Sequence, residues 1–135
     1  MKALNVKEIG QLGEKYAARH LKKQGLRPIE KNYRSGKNEL DIIAKDKQFI
    51  VFVEVKCRTY EGDEVPLDSR PAEAVHAEKR RHTVEAALSY LHEHPTRLCP
   101  RFDVVEVYLD RTKKYKPFKI HHIPDAFVAS GAKRR

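Results

Sequence analysis

The sequence lacks most of the signatures that place a chain in a familiar class. Its 135 residues hold two cysteines, Cys57 and Cys99, and their isolation fits neither a zinc spacing nor a redox pair. A disulfide-stapled scaffold and a zinc finger are therefore excluded, and Cys57, inside an apolar run, reads as a buried thiol. No apolar stretch approaches the length that crosses a bilayer. The N-terminus opens on a charged helical pattern without the apolar core of a signal peptide, so the expectation is a cytoplasmic protein with no membrane partner. Neither a Ser-His-Asp arrangement nor a glycine-rich phosphate loop stands out, and His92, His94, His121 and His122 form no zinc motif. Repeats, linkers and low-complexity tracts are absent too. One domain over residues 1–130 is expected, followed by a basic, disordered tail at 131–135.

Acid is scarce at both ends. Residues 1–34 carry nine Lys or Arg against three acids and residues 111–135 carry eight against one, whereas the middle carries eleven against fifteen. Two basic ends are the electrostatic footprint of phosphate binding, and nucleic acid is the expected partner. A merely solubilising surface is the blander reading.

Ile9, Leu12, Gly13, Tyr16, Ala17 and Leu21 recur at spacings of three and four, which predicts a helix over residues 5–24 stopped by Gly25. Gly10 and Gly13 each cost such a helix about 1 kcal/mol relative to alanine, and close backbone packing is the expected reason for both. Residues 26–34 suit a strand anchored by Leu26, Ile29 and Tyr33. Asn38–Ala44 alternates, a polar tetrapeptide follows, and Phe49–Cys57 is rich in β-formers, which predicts a hairpin. Residues 59–70 read as an exposed, mobile loop. Pro71–His94 reads as a second helix with Val75, Val84, Ala87, Leu88 and Leu91 inward. Strands over Phe102–Leu109 and Lys116–Ile123 complete an α/β fold, a mixed central sheet flanked by helices with an αβββαβ core.

The hairpin carries the chemistry. Phe49–Cys57 is apolar on both faces, as a central strand should be, yet Glu54 and Lys56 interrupt one face. An exposed ion pair at a strand end is the ordinary alternative. With Lys45 paired to Gln48, Asp41 falls opposite Phe52 and Glu39 opposite Glu54, so Asp41, Glu54 and Lys56 project from one face with the two acids diagonal. Carboxylates brought together in this way suit a divalent cation such as Mg²⁺ (or Mn²⁺), which takes one or two carboxylates plus phosphate and water. A lysine beside it serves as a point charge for phosphate. Arg34 and Arg58 flank the cluster and either grip phosphate or screen the acids. Asp103 is by default a strand-edge acid, and Glu14 alone an ordinary acid of a helix surface.

The motifs Gly10-x-x-Gly13-Glu14, Asn32-Tyr33-Arg34, Glu39-Leu40-Asp41-Ile42-Ile43-Ala44 and Val51-Phe52-Val53-Glu54-Val55-Lys56-x-Arg58 resemble the bacterial UPF0102 (YraN-like) family. Pro71, Ala74-Val75, Lys79, Tyr90-Leu91 and Arg101-Phe102-Asp103-Val104-Val105 extend the resemblance over about residues 8–110. Leu40 and Asn38 depart from the pattern, standing where proline and glycine are usual. The family is in turn similar to the restriction-endonuclease-like PD-(D/E)-x-K superfamily, which includes Holliday-junction resolvases. The resemblance implies a restriction-endonuclease-like fold, Asp41, Glu54 and Glu14 as metal ligands, and Lys56 as the catalytic lysine. Arg34, Arg58 and Lys79 are candidates for contact with nucleic acid and Glu39 for an accessory acid, with DNA ahead of RNA and a homodimer among the possible assemblies. The expected function is a metal-dependent endonuclease on structured or branched DNA. The alternative is a nucleic-acid-binding or adaptor protein with that fold and no cleavage.

Overall fold

The computed structural model describes residues 3–61 and 77–128. The loop expected at 59–70, the start of the second helix and the C-terminal tail lie wholly or mostly outside those residues.

Helix α1 spans Val6–Lys23. Asn5 begins it with a reciprocal cap: its Oδ1 accepts from the Glu8 N–H at 2.8 Å, and a Glu8 carboxylate oxygen accepts from the Asn5 N–H at 3.0 Å. Such a box satisfies two of the donors that a helix start leaves open. Gly25, at φ 86°, ends the helix where a side chain would be strained. Gly13, Ala17, Ala18 and Leu21 form the buried stripe.

Five strands follow in chain order and lie side by side in that order: β1 (Arg27–Ser35), β2 (Asn38–Lys45), β3 (Phe49–Tyr60), β4 (Cys99–Asp110) and β5 (Lys116–Phe127). All neighbours are antiparallel except β3 and β4, which run parallel from Phe49 beside Cys99 to Tyr60 beside Asp110. Helix α2 (Ala77–Glu93) lies between them in sequence, as a parallel pair requires of its connection. The expected αβββαβ core is present, extended by β5.

The sheet is covered on both faces. Ala17, Ala18 and Leu21 of α1 pack with Ile42, Ala44, Val51, Val53, Val105, Val107 and Leu109. Val84, Ala86, Ala87 and Tyr90 of α2 pack with Leu40, Ile43, Phe52, Phe102 and Val104. Leu88, expected inward, is 59% exposed. The stripe that packs runs through Val84, Ala87 and Tyr90, with Ala86 beside it, and the two alanines bring the helix close while turning Leu88 outward.

The hairpin turn sits one residue later than the sequence suggested. Asp46 pairs with Phe49, and its carboxylate accepts from the N–H groups of Gln48 and Phe49 at 2.8 and 2.7 Å. Lys45 therefore pairs with Ile50 and Ile42 with Val53. The slide shifts every partner by two residues, which preserves the face of each side chain.

The two helix glycines differ. A Cβ on Gly13 would lie 2.7 Å from Cys57 Cβ and 2.8 Å from its Sγ, whereas one on Gly10 meets nothing within 4 Å. Close packing explains Gly13 and fails for Gly10. Gly13→Ala is expected to lower stability, because overpacking costs about 1–3 kcal/mol against a helix gain of about 1. Gly10→Ala is expected to raise it by about 1 kcal/mol. Urea denaturation of the two variants checks this; shifts of the same sign would contradict it.

Candidate metal and phosphate site

The corrected register brings the acids closer than the sequence implied. Continued one step beyond Ile42 and Val53, it sets Asp41 opposite Glu54, rather than Glu39. Asp41, Glu54 and Lys56 share the face that α2 covers, since they alternate in phase with Ile43 and Phe52. The Asp41 carboxylate accepts from the Val55 N–H at 2.8 Å and so bridges the two strands where their ladder ends.

Glu54 is 4% exposed, and burying a lone carboxylate is costly. Two ammonium groups compensate: Lys79 Nζ lies 2.6 Å from its Oε1 and Lys56 Nζ 3.8 Å from the same atom. Despite that contact, Oε1 has no partner with full hydrogen-bond geometry among the described residues. The other oxygen takes only a long bond from the Thr83 hydroxyl, at 3.4 Å. Burial and then the Lys79 charge hold the Lys56 ammonium below its ordinary pKa, against the pull of Glu54. Burial acts the same way on Lys79, but the Glu54 charge and contact outweigh it and raise that group. Burial first, then the Glu54 charge, push Asp41 up to about 7, and Glu14 adds to the effect.

Glu14 reaches this region from α1 through Asn32. The Asn32 side chain acts to lower the Glu14 pKa, and Asn32 lies on β1 between the partners of Ile42 and Leu40, next to Asp41. Asn32 adopts φ 53°, a conformation asparagine tolerates. Burial raises the Glu14 pKa, and the nearby Asn32 side chain opposes that. Among the described residues no three His, Cys, Asp or Glu side chains converge as a closed metal cage.

The remaining expected residues are placed differently. Glu39 pairs across the strands with Arg34 and makes a 3.6 Å ion pair with it, both groups well exposed. Such a pair contributes about 0–1 kcal/mol. Arg58 is exposed two residues beyond Lys56. Lys79, read as a contact for nucleic acid, sits on Glu54. Thr83 was missed altogether; its spacing of four from Lys79 on α2 was the available signal.

Asp103, expected at a strand edge, is fully buried and faces α1, away from Glu54, since it alternates in phase with Val105. Arg101 donates to both of its oxygens at 2.9 and 2.8 Å, the His122 Nε2 lies 2.7 Å away, and the Asp125 N–H donates at 2.9 Å. The His122 ring meets His20 of α1 edge-on at 6.1 Å, and burial followed by His122 lowers the His20 pKa. This cluster is saturated with partners, and the bonds lower the Asp103 pKa despite its burial. On the other face Glu106, beside Lys56 in the parallel ladder, contacts His121 at 2.8 Å.

Asp41 makes stability depend on pH. Its pKa is higher folded than unfolded, so between about pH 4 and 7 the native state holds a proton that the unfolded chain releases. Stability of the metal-free protein is expected to fall as pH rises through that window. Asp41→Asn keeps the acceptor for Val55 and removes the charge, so it should melt higher than wild type above about pH 7, by on the order of 1–3 kcal/mol, with the gain fading toward acid. Melting curves in EDTA at several pH values measure this; a pH-independent difference would refute the burial of that charge.

Comparison with known proteins agrees over most of the chain. The model of the family described as "Uncharacterised protein family UPF0102" matches residues 13–107. A UPF0102 protein of Caldanaerobacter subterraneus subsp. tengcongensis is 41% identical over 128 residues, covering 94% of this chain and 100% of the relative. One from Syntrophotalea carbinolica is 38% identical over 124 residues, covering 91% and 94%. Among solved structures, Pyrococcus furiosus SfsA in complex with Ca²⁺ aligns with a TM-score of 0.41 at 13% identity, over 84% of this chain and 63% of that one; a likeness this distant carries no functional argument. No described helix is long and apolar enough to cross a membrane. With the family model and full-length relatives in agreement, this chain belongs to the UPF0102 family.

Proposed function

We propose that this protein is a divalent-metal-dependent phosphodiesterase acting on nucleic acid, with structured or branched DNA as its first candidate substrate and a restriction-endonuclease-like active site. The observation that carries the reading is Glu54 in the central strand, a buried carboxylate with an oxygen lacking a directed hydrogen bond among the described residues, two residues from Lys56 and near enough to Asp41 to raise its pKa. A structural ion pair alone gives no reason for a second acid whose charge is held at such cost.

These groups fit Mg²⁺ or Mn²⁺. Asp41 and Glu54 supply the carboxylate oxygens and Glu14 supports the shell from α1, toward an ion that takes one or two carboxylates and keeps water and substrate oxygens as its other ligands. When bound, the cation would lower the pKa of a water and offset charge on the phosphodiester. Lys56 holds its ammonium beside the phosphate, where a point charge stabilises developing negative charge. Lys79 neutralises Glu54 until a cation takes its place, and its released ammonium then adds to the phosphate contacts of Arg58 and Arg34. The basic ends extend that attraction along a polyanion.

A second reading, a nucleic-acid-binding or adaptor protein without cleavage, has one observation in its favour: the Lys79 ammonium already satisfies the charge of Glu54.

The test is a panel of branched, linear and single-stranded DNA and RNA, with Mg²⁺, Mn²⁺ or EDTA. Cleavage is expected only with metal and is lost, by about 100-fold or more, in both Asp41→Asn and Lys56→Ala. Mg²⁺ should raise the melting temperature of wild type and Lys56→Ala by mass action, and do so less in Asp41→Asn. Lys79→Ala should melt lower in EDTA and gain more from Mg²⁺, because the competing cation is gone. No metal shift and no cleavage of any substrate would leave the binding-protein reading standing.

A further inference from the structure

Among the described residues nothing requires a glycine at position 10. It lies in the interior of α1, where glycine costs about 1 kcal/mol relative to alanine. It is not among the glycines at positive φ, and a Cβ there meets nothing within 4 Å. What Gly10 does border is a groove of about 510 Å³ between the first half of α1 and the second half of β3, lined also by Val6, Ile9, Glu14 and the strand from Val55 to Thr59. That volume lies within the range of about 300–1,000 Å³ typical of small-ligand clefts.

The lining is amphipathic in an ordered way. Val6 and Ile9 of the helix and Val55 and Cys57 of the strand supply apolar surface, and burial pushes the Cys57 thiol up to about 11, so that it stays neutral. Arg58, exposed and without an ion pair among the described residues, lies on the same stretch of strand as Lys56, and Glu14 belongs both to this groove and to the surroundings of Asp41. Val55 and Cys57 face α1 whereas Lys56 and Arg58 face α2, so the groove meets the proposed active site around the edge of β3, where the ladder with β2 has ended at Val53. Its helix wall is fixed at its start by the Asn5–Glu8 box and by the Leu4 N–H, which donates to the Tyr115 hydroxyl at 3.1 Å.

We propose that this groove is a subsite for one unpaired nucleotide next to the phosphate held at Lys56. The base lies on the apolar floor, Arg58 holds the neighbouring phosphate, and the bare backbone of Gly10 lets the sugar or base approach. Resting on the phosphodiesterase reading, it narrows the substrate class: nucleic acid with an unpaired residue at the site rather than continuous duplex. A flat, extrudable base supplies apolar faces and an adjacent negative charge together, which matches an apolar floor rimmed by arginine. A purely apolar ligand would leave Arg58 unused, and an inorganic anion would leave the floor unused.

The experiment measures binding in EDTA, apart from cleavage, by fluorescence anisotropy of fluorescein-labelled oligothymidylate, oligouridylate and a blunt DNA duplex. Wild type is expected to bind at least one single strand more tightly than the duplex. Gly10→Leu should weaken that single-strand binding by about tenfold or more while leaving duplex binding and the melting temperature near wild type. Gly10→Ala should weaken it less and melt higher. Arg58→Ala should lower single-strand affinity by a comparable factor, and it carries the test should Gly10→Leu misfold. Single-strand affinity unchanged in Gly10→Leu and Arg58→Ala, or no preference for single strands in wild type, would overturn the subsite even if the enzyme cleaves duplex. Gly10-dependent binding without cleavage on any substrate would retain the subsite and remove the phosphodiesterase reading.

Discussion

A carboxylate buried in the central strand is the constraint around which this site is organised. Glu54 follows four buried apolar residues of β3, on a sheet covered by helices on both faces. Its carboxylate is met by Lys79 from α2 and by Lys56 from β3. The site and the packing of α2 are therefore one problem: a helix that moved off the sheet would leave an uncompensated buried charge. Asp41 worsens that problem, since burial and then the nearby Glu54 charge raise its pKa to about 7.

The opposite face of the same sheet offers a control within the molecule. Asp103 is more deeply buried than Glu54, yet both its oxygens have well-directed donors from Arg101, His122 and the Asp125 backbone. Its pKa falls where that of Asp41 rises. Buried acids with every lone pair engaged fasten strands together; buried acids with an open oxygen and a like-charged neighbour hold free energy that a ligand can release. By that distinction Asp103 fastens strands together, whereas Asp41 carries an unrelieved repulsion from Glu54.

Helix α1 shows the same division along its length. Gly13 is required by contact with Cys57, and the stripe from Gly13 to Leu21 completes the core. One turn earlier Ile9 still packs against the core, but Val6 is 87% exposed and none of the described residues meets a Cβ placed on Gly10. Local helix stability is lower there than it need be, which is the usual condition of surfaces shaped for a ligand rather than for the fold.

The sequence by itself determined the element order, the face shared by Asp41, Glu54 and Lys56, and the family. Helical and strand periodicities are local, and a slide of two residues along a hairpin leaves the parity of every side chain intact. That is why the three residues were legible although the assumed register was not. The sequence also favoured Gly13 as a packing glycine, but it gave Gly10 the same reason, because a helical pattern does not say where the partner sheet ends. Only the tertiary structure decided that Lys79 and Thr83 stand on Glu54, that Asp103 faces the other helix, that Glu39 turns to Arg34, and that Leu88 points outward. Each of these depends on how α2 and β4 are set against β3, between residues far apart in the chain. Burial and pairing of charge arise at that level, since a carboxylate in water and one beneath a helix carry the same letter in the sequence.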